Sequence, residues 1–478
     1  MTVAVAAAAS GRLPPPPARV FLVGLGGIGM SGLAQALQDR GYAVAGSDRL
    51  LDGPGRSELV AQLRGLGLAV YPQDGSGPRQ ERPDVLVTSA AVEAGNPDLE
   101  AAPGVPVCPR ARALAALLNA GGGCQIAVAG SAGKTSVTGW IAAALRALGR
   151  RVMVVNGGYM LDAESAQRPG NYAADADPEF QVVEVDESDR SLVEFTPDVG
   201  VLLNIGTDHY GREELLAVFG RFLDQCREAC VLPAGLAAEL AGHGPARRRL
   251  FAPAPAAEAT AVVAPSEYEP GPHGAAFVLP GAGRVASTQY GRHSATNAAA
   301  VLAALEAAGG AAAPAAMVAA LGAFRGIRQR FEYVGQRHGR PVYHDYAHNV
   351  QKIAAALDTA REAAGSPVTA FFQPHGYGPL GFMREALAET LREALRPGDR
   401  WVFLPVYYAG GSSSFTPTAA AVAAEYAAAG LPASALERRD DAAALLDEAG
   451  ADAARAILVL GARDPSLPAF AAGLCHHP

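Results

Sequence analysis

The sequence predicts an α/β protein of three domains, each built around a mostly parallel sheet. Three observations lead to this expectation. The chain has 478 residues, which at roughly 150 residues per domain corresponds to three domains. Short apolar runs alternate with helix-forming segments, an order typical of strand–helix–strand units. Two of the apolar runs lead into glycine-rich loops, at 24–29 and 130–133.

The first predicted domain covers residues 19–120. An apolar strand at 19–23 enters the loop Gly24-Leu25-Gly26-Gly27-Ile28-Gly29, a helix follows at 30–40, and a second strand ends at Asp48. This arrangement fits the dinucleotide-binding fingerprint, whose glycines let a diphosphate approach the backbone and whose acidic residue, about 20 positions on, accepts from a ribose. A later strand is expected at 85–89. Residues 1–18, with prolines at 14–17, are predicted to be a disordered tail.

The central predicted domain covers residues 121–325. A strand at 125–129 leads into Gly130-Ser131-Ala132-Gly133-Lys134-Thr135, and a helix follows to 148. The loop is not a standard Walker motif, because Val128 stands where that motif has its first glycine. We still expect its amides to hold phosphates, Lys134 to meet the β- and γ-phosphates, and Thr135 to bind Mg²⁺.

Polar residues follow two further strands of this domain. Glu184 falls in a strand at 181–185, and His209 closes a polar segment after a strand at 199–203. Sites of α/β proteins form at the carboxyl ends of parallel strands. Both residues are therefore predicted to lie near the γ-phosphate. Residues 251–283 read as irregular or antiparallel edge structure, and a helix is expected at 297–308.

The third predicted domain covers residues 326–478, with strands at 341–343, 368–372, 401–404 and 456–460. It contains Lys352, one of only two lysines among 39 basic residues; the other is Lys134. Because the chain uses arginine at every other basic position, the two lysines are candidate site residues. A compact ammonium and a guanidinium are not interchangeable at a phosphate.

Bulk composition excludes several classes. The net charge of −8 argues against a nucleic-acid or membrane-surface role, and no apolar run is long enough to cross a bilayer. Five cysteines, odd in number and scattered apart from Cys226 and Cys230 on an expected helix, indicate reduced thiols in a cytoplasmic protein. A monomer or homodimer is expected.

Taken together, the motifs resemble the Mur ligase family, and within it the branch that adds L-alanine to UDP-N-acetylmuramate. The segments that carry the resemblance are 24–32, 88–91 with 96–97, 184–189, 204–209, His293 with Asn297, Arg330-Phe331-Glu332, Asp345-Tyr346-Ala347-His348, and Gln373-Pro374-His375.

The resemblance implies a Rossmann-like first domain for the UDP-sugar, a P-loop-type central ATPase domain, and a Rossmann-like third domain for ATP and the amino acid. ATP would phosphorylate the substrate carboxylate, and an amine would displace phosphate from the acyl phosphate. The implied catalytic residues are Lys134, Glu184, His209, Arg330 and His348; the metal ligands are Thr135, Glu184 and His209. The implied ATP-binding residues are Gly130, Gly133, Lys134, Thr135, His293, Asn297, Arg330 and Asp345. The implied substrate-binding residues are Gly26, Gly27, Ile28, Gly29, Asp48, Ser89, Tyr346, Lys352 and His375.

The sequence departs from that branch mainly in the third domain. Ala132, Ser294, Gln329 and His344 replace its usual residues, and segment 376–380 lacks two arginines of its amino-acid region. Because arginine pairs carboxylates bidentately, the amine acceptor is predicted to differ from L-alanine, with Arg384 or Lys352 as replacement cations. The open alternatives are a diverged ligase of wall recycling or specialised metabolism, a non-catalytic nucleotide-binding protein, and a nicotinamide oxidoreductase.

Overall fold

A computed structural model describes residues 11–49, 51, 57–93, 95–186, 191–206, 211–255, 262–408, 415–448 and 455–475. The chain forms two compact units. The first comprises 1–268, 277–287 and 292–327, and the second comprises 269–276, 288–291 and 328–478. In the part of the chain that the structure describes, no helix is both long and apolar enough to span a membrane.

The amino-terminal sheet of the first unit has five parallel strands in the order β3-β2-β1-β4-β5. The order reverses between β1 and β4, which is the switch point where such sheets bind ligands. Its elements are β1 (Arg19–Val23), α1 (Ile28–Asp39), β2 (Ala43–Asp48), α2 (Ser57–Gly65), β3 (Ala69–Pro72), α3 (Ser76–Glu81), β4 (Val85–Thr88), α4 (Pro97–Glu100), β5 (Val107–Pro109) and α5 (Arg110–Asn119).

The apolar character of β1 follows from its central position, since a parallel strand covered on both faces buries every side chain. Val20 to Val23 are at most 1% exposed. Gly46 in the neighbouring β2 leaves room for the chain that follows β1: a Cβ there would lie 2.5 Å from the Leu22 carbonyl oxygen and 3.0 Å from the Leu25 Cβ. A side chain at this position would push the glycine loop away from the sheet.

The central sheet has eight strands in the order β13-β12-β11-β10-β6-β9-β7-β8, and β8 is antiparallel to β7. Strand β6 lies between β10 and β9, so three carboxyl ends meet around the phosphate loop. Its strands and the helices around it are β6 (Cys124–Ala129), α6 (Lys134–Ala147), β7 (Val152–Val155), β8 (Tyr172–Ala174), β9 (Phe180–Glu184), β10 (Val199–Leu202), α7 (Arg212–Asp224), β11 (Ala229–Pro233), β12 (Arg248–Phe251), β13 (Val262–Val263), α8 (Arg292–Ala307) and α9 (Pro314–Gly322). Between β13 and α8, a separate three-stranded sheet in the order β14-β15-β16 consists of β14 (Ser266–Gly271), β15 (Gly274–Leu279) and β16 (Gly283–Ser287).

The carboxyl-terminal sheet lies in the second unit, with six strands in the order β17-β18-β22-β19-β20-β21. Only β17 pairs antiparallel among the described ladders of this sheet. The elements are β17 (Glu332–Arg337), β18 (Arg340–Asp345), α10 (Val350–Ala364), β19 (Val368–Gln373), α11 (Tyr377–Ala394), β20 (Arg400–Phe403), α12 (Ala419–Ala428), β21 (Ala433–Ala435), α13 (Asp441–Glu448), β22 (Ala456–Gly461) and α14 (Leu467–Gly473).

The predicted α/β class is confirmed, and some local predictions are wrong. Residues 11–18 are not a disordered tail: the amide of Gly11 donates to the Val107 carbonyl oxygen at 3.1 Å, and Tyr42 donates to the Pro14 carbonyl oxygen at 2.9 Å. Residues 1–10 lie outside the described part. Cys226 follows a helix and Cys230 lies in β11, so they do not share a helix. The helix expected at 297–308 begins earlier, at Arg292.

Candidate active site

The first glycine loop is held by the end of β2. The amides of Gly24 and Leu25 donate to the Ser47 carbonyl oxygen at 2.9 and 2.7 Å, and the amide of Gly26 donates to Asp48 Oδ2 at 2.8 Å. Gly24 has φ +85°, a conformation that favours glycine. Asp48, predicted as a ribose acceptor, therefore already shapes the loop through one carboxylate oxygen.

Two cavities open along this loop. One, of about 430 Å³, is lined by Asp48, Ser89 and segment 91–97 apart from residue 94, together with Gly24 and Gly27. The other, of about 320 Å³, shares Gly24, Gly27 and Ser89 and extends to Glu184 and Asp186 of the central sheet. Helix α1 begins at Ile28, and the Met30 and Ser31 amides of its first turn donate to the Gly27 carbonyl oxygen at 3.0 and 2.8 Å. The predicted loop and the positive amino-terminal end of α1 thus border the cavities in which a diphosphate is predicted to bind.

Arg110 is a site residue that the sequence reasoning missed. It lines the 320 Å³ cavity, and a Cβ on Gly29 would lie 2.9 Å from its Nη1. The glycine therefore makes room for a guanidinium over the start of α1. The available signal was position: Arg110 directly follows the short strand β5, at the carboxyl edge of a parallel sheet.

The phosphate loop after β6 is pinned by Asn204, which follows β10. The amide of Ala132 donates to Asn204 Oδ1, and Asn204 Nδ2 donates to the Ala132 carbonyl oxygen, both at 2.9 Å. Gly130 and Gly133 have φ +136° and +85°. This two-way hydrogen bond holds the loop without help from a ligand. The sequence predicts Asn204 only as part of the polar segment that ends at His209.

Lys134 and Thr135 begin α6 and face two carboxylates. Lys134 Nζ lies 3.4 Å from Asp186 Oδ1, and Thr135 Oγ1 donates to Glu184 Oε1 at 3.2 Å. The other Glu184 oxygen accepts from the Gly157 amide at 2.8 Å. A Cβ on Gly157 would lie 2.5 Å from that oxygen, so glycine is required for this approach. Lysine, hydroxyl and carboxylates converge at the positive end of a helix.

The predicted ATP-binding residues His293 and Asn297 lie on α8. His293 occupies its first turn, and the Asn297 Oδ1 atom would lie 3.1 Å from a Cβ on Gly133. Asn297 is thereby placed beside the phosphate loop. His209 lies outside the described residues.

Oxygen donors suited to Mg²⁺ are present at this loop. Among the described residues, no cluster of three or more His, Cys, Asp or Glu side chains could hold a metal ion on its own. Mg²⁺ commonly uses one or two protein oxygens and completes its shell with water and substrate phosphates. The Thr135 hydroxyl and the Glu184 carboxylate, 3.2 Å apart, fit that pattern.

Buried Asn171 ties α1 to the central sheet. Its Nδ2 donates to the Ile28 carbonyl oxygen at 2.5 Å and to Ser31 Oγ at 2.8 Å, and its Oδ1 accepts from Gln35 at 3.1 Å. Tyr172 adds a hydrogen bond to Asp39 at 2.8 Å. Helix α1 is thus bonded at both ends to the strand region that follows β7.

In the second unit, the turn before β17 is fixed by carboxylates. Asp345 Oδ2 accepts from the Phe331 amide at 2.7 Å, and Glu332 accepts from the Gln329 amide at 2.8 Å and from Arg328 at 2.6 Å. Arg330 projects from this turn, with its guanidinium carbon 5.9 Å from the centre of the Tyr346 ring. The predicted nucleotide residues Arg330 and Asp345 are brought together.

His348 and His375 form an edge-to-face pair with ring centroids 5.3 Å apart. Burial lowers the pKa of both imidazoles, that of His375 to about 4. Lys352 lies in the first turn of α10, where its amide donates to Asn349 at 2.9 Å, and its ammonium also lowers the pKa of His348. The predicted catalytic residue His348 and the predicted substrate-binding residues Lys352 and His375 are therefore neighbours.

His344 is a buried histidine in β18 whose two ring nitrogens have no hydrogen-bond partner among the described residues. It is 1% exposed, and burial lowers its pKa to about 3. Between about pH 6.5 and pH 3, His344 is therefore protonated in the unfolded chain, where its pKa is near 6.5, and neutral in the folded chain. Stability should therefore fall as the pH drops from about 6.5 toward 3, by up to about 1.4 kcal/mol per pH unit.

We expect His344→Leu to raise the free energy of unfolding at pH 7 by about 1–2 kcal/mol, because it removes unsatisfied polar atoms from the core. The variant should also lose part of the acid sensitivity in urea unfolding between pH 6.5 and 4. His273→Asn, at an exposed position of the same unit, is the control and should keep the wild-type pH dependence. Identical pH slopes in wild type and His344→Leu would contradict the burial argument.

Three family models match the chain in succession. They are described as Mur ligase family, catalytic domain (residues 19–121), Mur ligase middle domain (128–305), and Mur ligase, glutamate ligase domain (329–463). These matches support the three-domain architecture, while the exact boundaries 19–120, 121–325 and 326–478 stay a prediction.

Curated relatives named UDP-N-acetylmuramate–L-alanine ligase match most of the chain. The Rubrobacter xylanophilus protein is 36% identical over 82% of this chain and 85% of its own length. The Streptomyces coelicolor protein is 33% identical over 95% of this chain and 96% of its own.

Solved structures show the same fold. The UDP-N-acetylmuramate-alanine ligase of Thermotoga maritima aligns with a TM-score of 0.75 at 24% identity, over 96% of this chain and 98% of that one. A murein peptide ligase from Psychrobacter arcticus aligns with a TM-score of 0.65 at 20% identity, over 96% and 99%. The oxidoreductase reading of the first glycine loop is thereby set aside. The chain belongs to the Mur ligase family, with that family's three-domain fold, and is an ADP-forming acid–amino-acid ligase similar to the UDP-N-acetylmuramate–L-alanine ligases.

Proposed function

We propose that this chain joins an amino acid to the carboxylate of a UDP-N-acetylmuramate-type substrate, with ATP as the phosphate donor. One observation carries the proposal. A single cavity is lined both by the first glycine loop and by Glu184 and Asp186, and these carboxylates contact Thr135 and Lys134 of the phosphate loop. A ligand held by the first loop can therefore present its far end to a bound triphosphate.

The UDP-sugar would lie along the two cavities. Asp48 and Ser89 line the larger one. The start of α1, at Ile28 and Gly29, would offer amides and a positive helix end to the diphosphate. Gly27 lines both cavities, and its own amide donates to the Gly24 carbonyl oxygen at 3.1 Å. Arg110 adds a guanidinium in the smaller cavity. Arginine pairs phosphate and carboxylate oxygens bidentately, which suits either the diphosphate or the muramate carboxylate.

The phosphate loop would hold ATP. Its glycines and Lys134 suit the β- and γ-phosphates, and Asn297 and His293 lie on the neighbouring helix α8. Thr135 and Glu184 would hold Mg²⁺, which supplies charge neutralisation at the phosphates. His209 keeps its predicted role in the metal region.

The chemistry follows from the weak electrophilicity of a carboxylate. A carboxylate oxygen attacks the γ-phosphorus and ADP leaves, which gives an acyl phosphate. The amine then attacks the acyl carbon, phosphate leaves, and the ammonium proton passes to a base. Lys134 stabilises the negative charge of the transferring group. His348 can accept the proton, since its lowered pKa keeps the imidazole neutral at pH 7.

In the second unit, Asp345 and Arg330 would serve the ribose and phosphates of ATP, and Tyr346, Lys352 and His375 the amine acceptor. The acceptor is proposed to differ from L-alanine, because segment 376–380 contains no arginine. Arg384 is already engaged: its guanidinium lies 3.6 Å from Glu425. The alternative to the synthesis pathway is that this chain is a diverged ligase of wall recycling or of specialised metabolism.

Phosphate release with ATP, Mg²⁺ and UDP-N-acetylmuramate should depend on an added amino acid. Across a panel of proteinogenic amino acids, we expect the lowest KM for an amino acid other than L-alanine. L-Alanine as the single fast acceptor would refute the changed acceptor while leaving the ligase assignment intact. Absence of amino-acid-dependent phosphate release with every panel member would overturn the proposed function itself.

A further inference from the structure

Arg463 is an exposed arginine held in a left-handed backbone conformation. It lies two residues beyond β22, with φ +67°. L side chains other than Asn and Asp disfavour this region, so a glycine would fit the backbone better. Strained residues that persist tend to mark sites of function.

The strain is maintained because both neighbours are buried. Ala462 is 2% and Asp464 5% exposed. Asp464 accepts hydrogen bonds from Arg439 and from the Ser466 amide and hydroxyl, the latter two at 2.8 and 2.7 Å. Arg439 also donates to Gln373, the last residue of β19. The turn that carries Arg463 is therefore clamped to the strand that leads into His375.

Strand register brings Arg463 to the histidine pair. Gly461 of β22 is paired with Gln373 of β19, and Leu460 is paired with Asp345 of β18. Arg463, His375 and His348 thus follow the carboxyl ends of three adjacent parallel strands. Within the described ranges, no carboxylate lies within ion-pair distance of the Arg463 guanidinium.

The cations that act on the His375 ring differ from those that act on the His348 ring, and this difference distinguishes two possible anion sites. Burial, then the field of His348, then that of Arg463, lowers the pKa of His375, so Arg463 is the permanent cation that acts on this ring from the part of the chain that the structure describes. Arg463 acts on His348 as well, but there it is accompanied by Lys352 and Arg330. A single cation beside a neutral imidazole matches one carboxylate, whereas the more strongly cationic side at His348 suits phosphates.

We propose that Arg463 binds the carboxylate of the amine acceptor, with His375 as its neighbour in that subsite. The proposal rests on the proposed ligase function and adds a specificity-determining residue to it. The amine would then be oriented by an arginine whose position is set by the Arg439–Asp464–Gln373 network.

The test compares Arg463→Gly with Arg82→Gly in the full-length protein. Arg82 is a matched control, because it is also an exposed arginine with positive φ, +49°, but lies at the end of α3 in the amino-terminal domain. Steady-state phosphate release is measured for the panel amino acid with the lowest KM, for the primary amide of that amino acid, for ATP and for UDP-N-acetylmuramate. Thermal unfolding of each variant is recorded alongside.

For Arg463→Gly we expect the KM of the amino acid to rise roughly 10- to 100-fold, because its carboxylate loses a charged hydrogen-bond partner. The KM of the amide, which carries no carboxylate, should stay unchanged, as should those of ATP and UDP-N-acetylmuramate. The melting temperature should not fall, because glycine relieves the strain. Arg82→Gly should leave all four KM values at the wild-type level.

Three outcomes overturn the proposal. An unchanged amino-acid KM in Arg463→Gly shows that another group binds the carboxylate, while the ligase function stands. A rise confined to the KM of ATP assigns Arg463 to a phosphate instead. A wild-type enzyme without amino-acid-dependent phosphate release removes the proposed function and this inference together.

Discussion

Replacing Lys134 with methionine should reduce ATP-dependent phosphate release by roughly 10³-fold or more. The ammonium of Lys134 lies 3.4 Å from Asp186, and its side chain is only 13% exposed. Methionine keeps the length of the side chain and removes its charge. The variant would remove the positive charge that faces both Asp186 and the incoming γ-phosphate, so the charge that offsets their mutual repulsion is lost. Stopped-assay measurement of phosphate at saturating ATP tests the effect on kcat.

Arg146→Met is the matched control for this variant. Arg146 is a cation at the opposite end of the same helix, where it pairs with Asp175 at 3.1 Å. Its loss should change the unfolding midpoint slightly, since partly exposed ion pairs contribute little, and leave kcat unchanged. Wild-type turnover in Lys134→Met would remove that lysine from the chemistry. An equal loss of activity in Arg146→Met would indicate damage to α6 rather than loss of a phosphate ligand.

Glu184→Gln is expected to lower kcat by roughly 10²-fold or more and to raise the Mg²⁺ concentration needed for half-maximal rate. The substitution keeps the shape of the side chain. One oxygen can still accept from Thr135 or from the Gly157 amide, which Glu184 now binds at 3.2 and 2.8 Å. What is lost is the negative charge that makes the side chain a good ligand for a divalent cation. Phosphate release measured over a Mg²⁺ titration separates the two effects.

Glu194→Gln provides the comparison, because Glu194 is also a partly buried glutamate of the same unit and pairs with Arg112 at 3.0 Å. We expect its Mg²⁺ dependence and kcat to match the wild type. If Glu184→Gln responded to Mg²⁺ like the wild type, Glu184 would serve only to hold Gly157 and Thr135 in place.

The parts of the fold that the sequence predicts are those with strong local signals. Strand β1, its glycine loop and α1 follow one another within 21 residues (19–39), and each is encoded by apolar runs, glycines and a helical pattern. Strands β11 and β12 were not predicted. β12 has exposed and half-buried arginines at 248–249, and its pairing with β11 depends on the sheet beside it rather than on its own pattern.

The candidate site divides in the same way. Lys134, Thr135 and Glu184 were predictable because they sit at strand ends or in a loop whose spacing is visible in the chain. Asn204 and Arg463 were not, since their importance arises from register. Asn204 bonds to Ala132 across 72 residues, and Arg463 and His375 follow neighbouring strand ends only because β22 lies beside β19. Tertiary neighbours of this kind leave no local pattern.

The hydrogen bonds from Asn171 to α1 affect how the two substrates are aligned for reaction. Its hydrogen bonds to Ile28, Ser31 and Gln35 fix the helix that would carry the sugar diphosphate against the sheet that carries the phosphate loop. The distance between the UDP-sugar and ATP is then fixed when the protein folds. The entropy lost in orienting the two substrates is therefore smaller when they bind. Asn171 contacts neither substrate in this arrangement. Its removal would nevertheless loosen the alignment of the substrate carboxylate with the γ-phosphate of ATP.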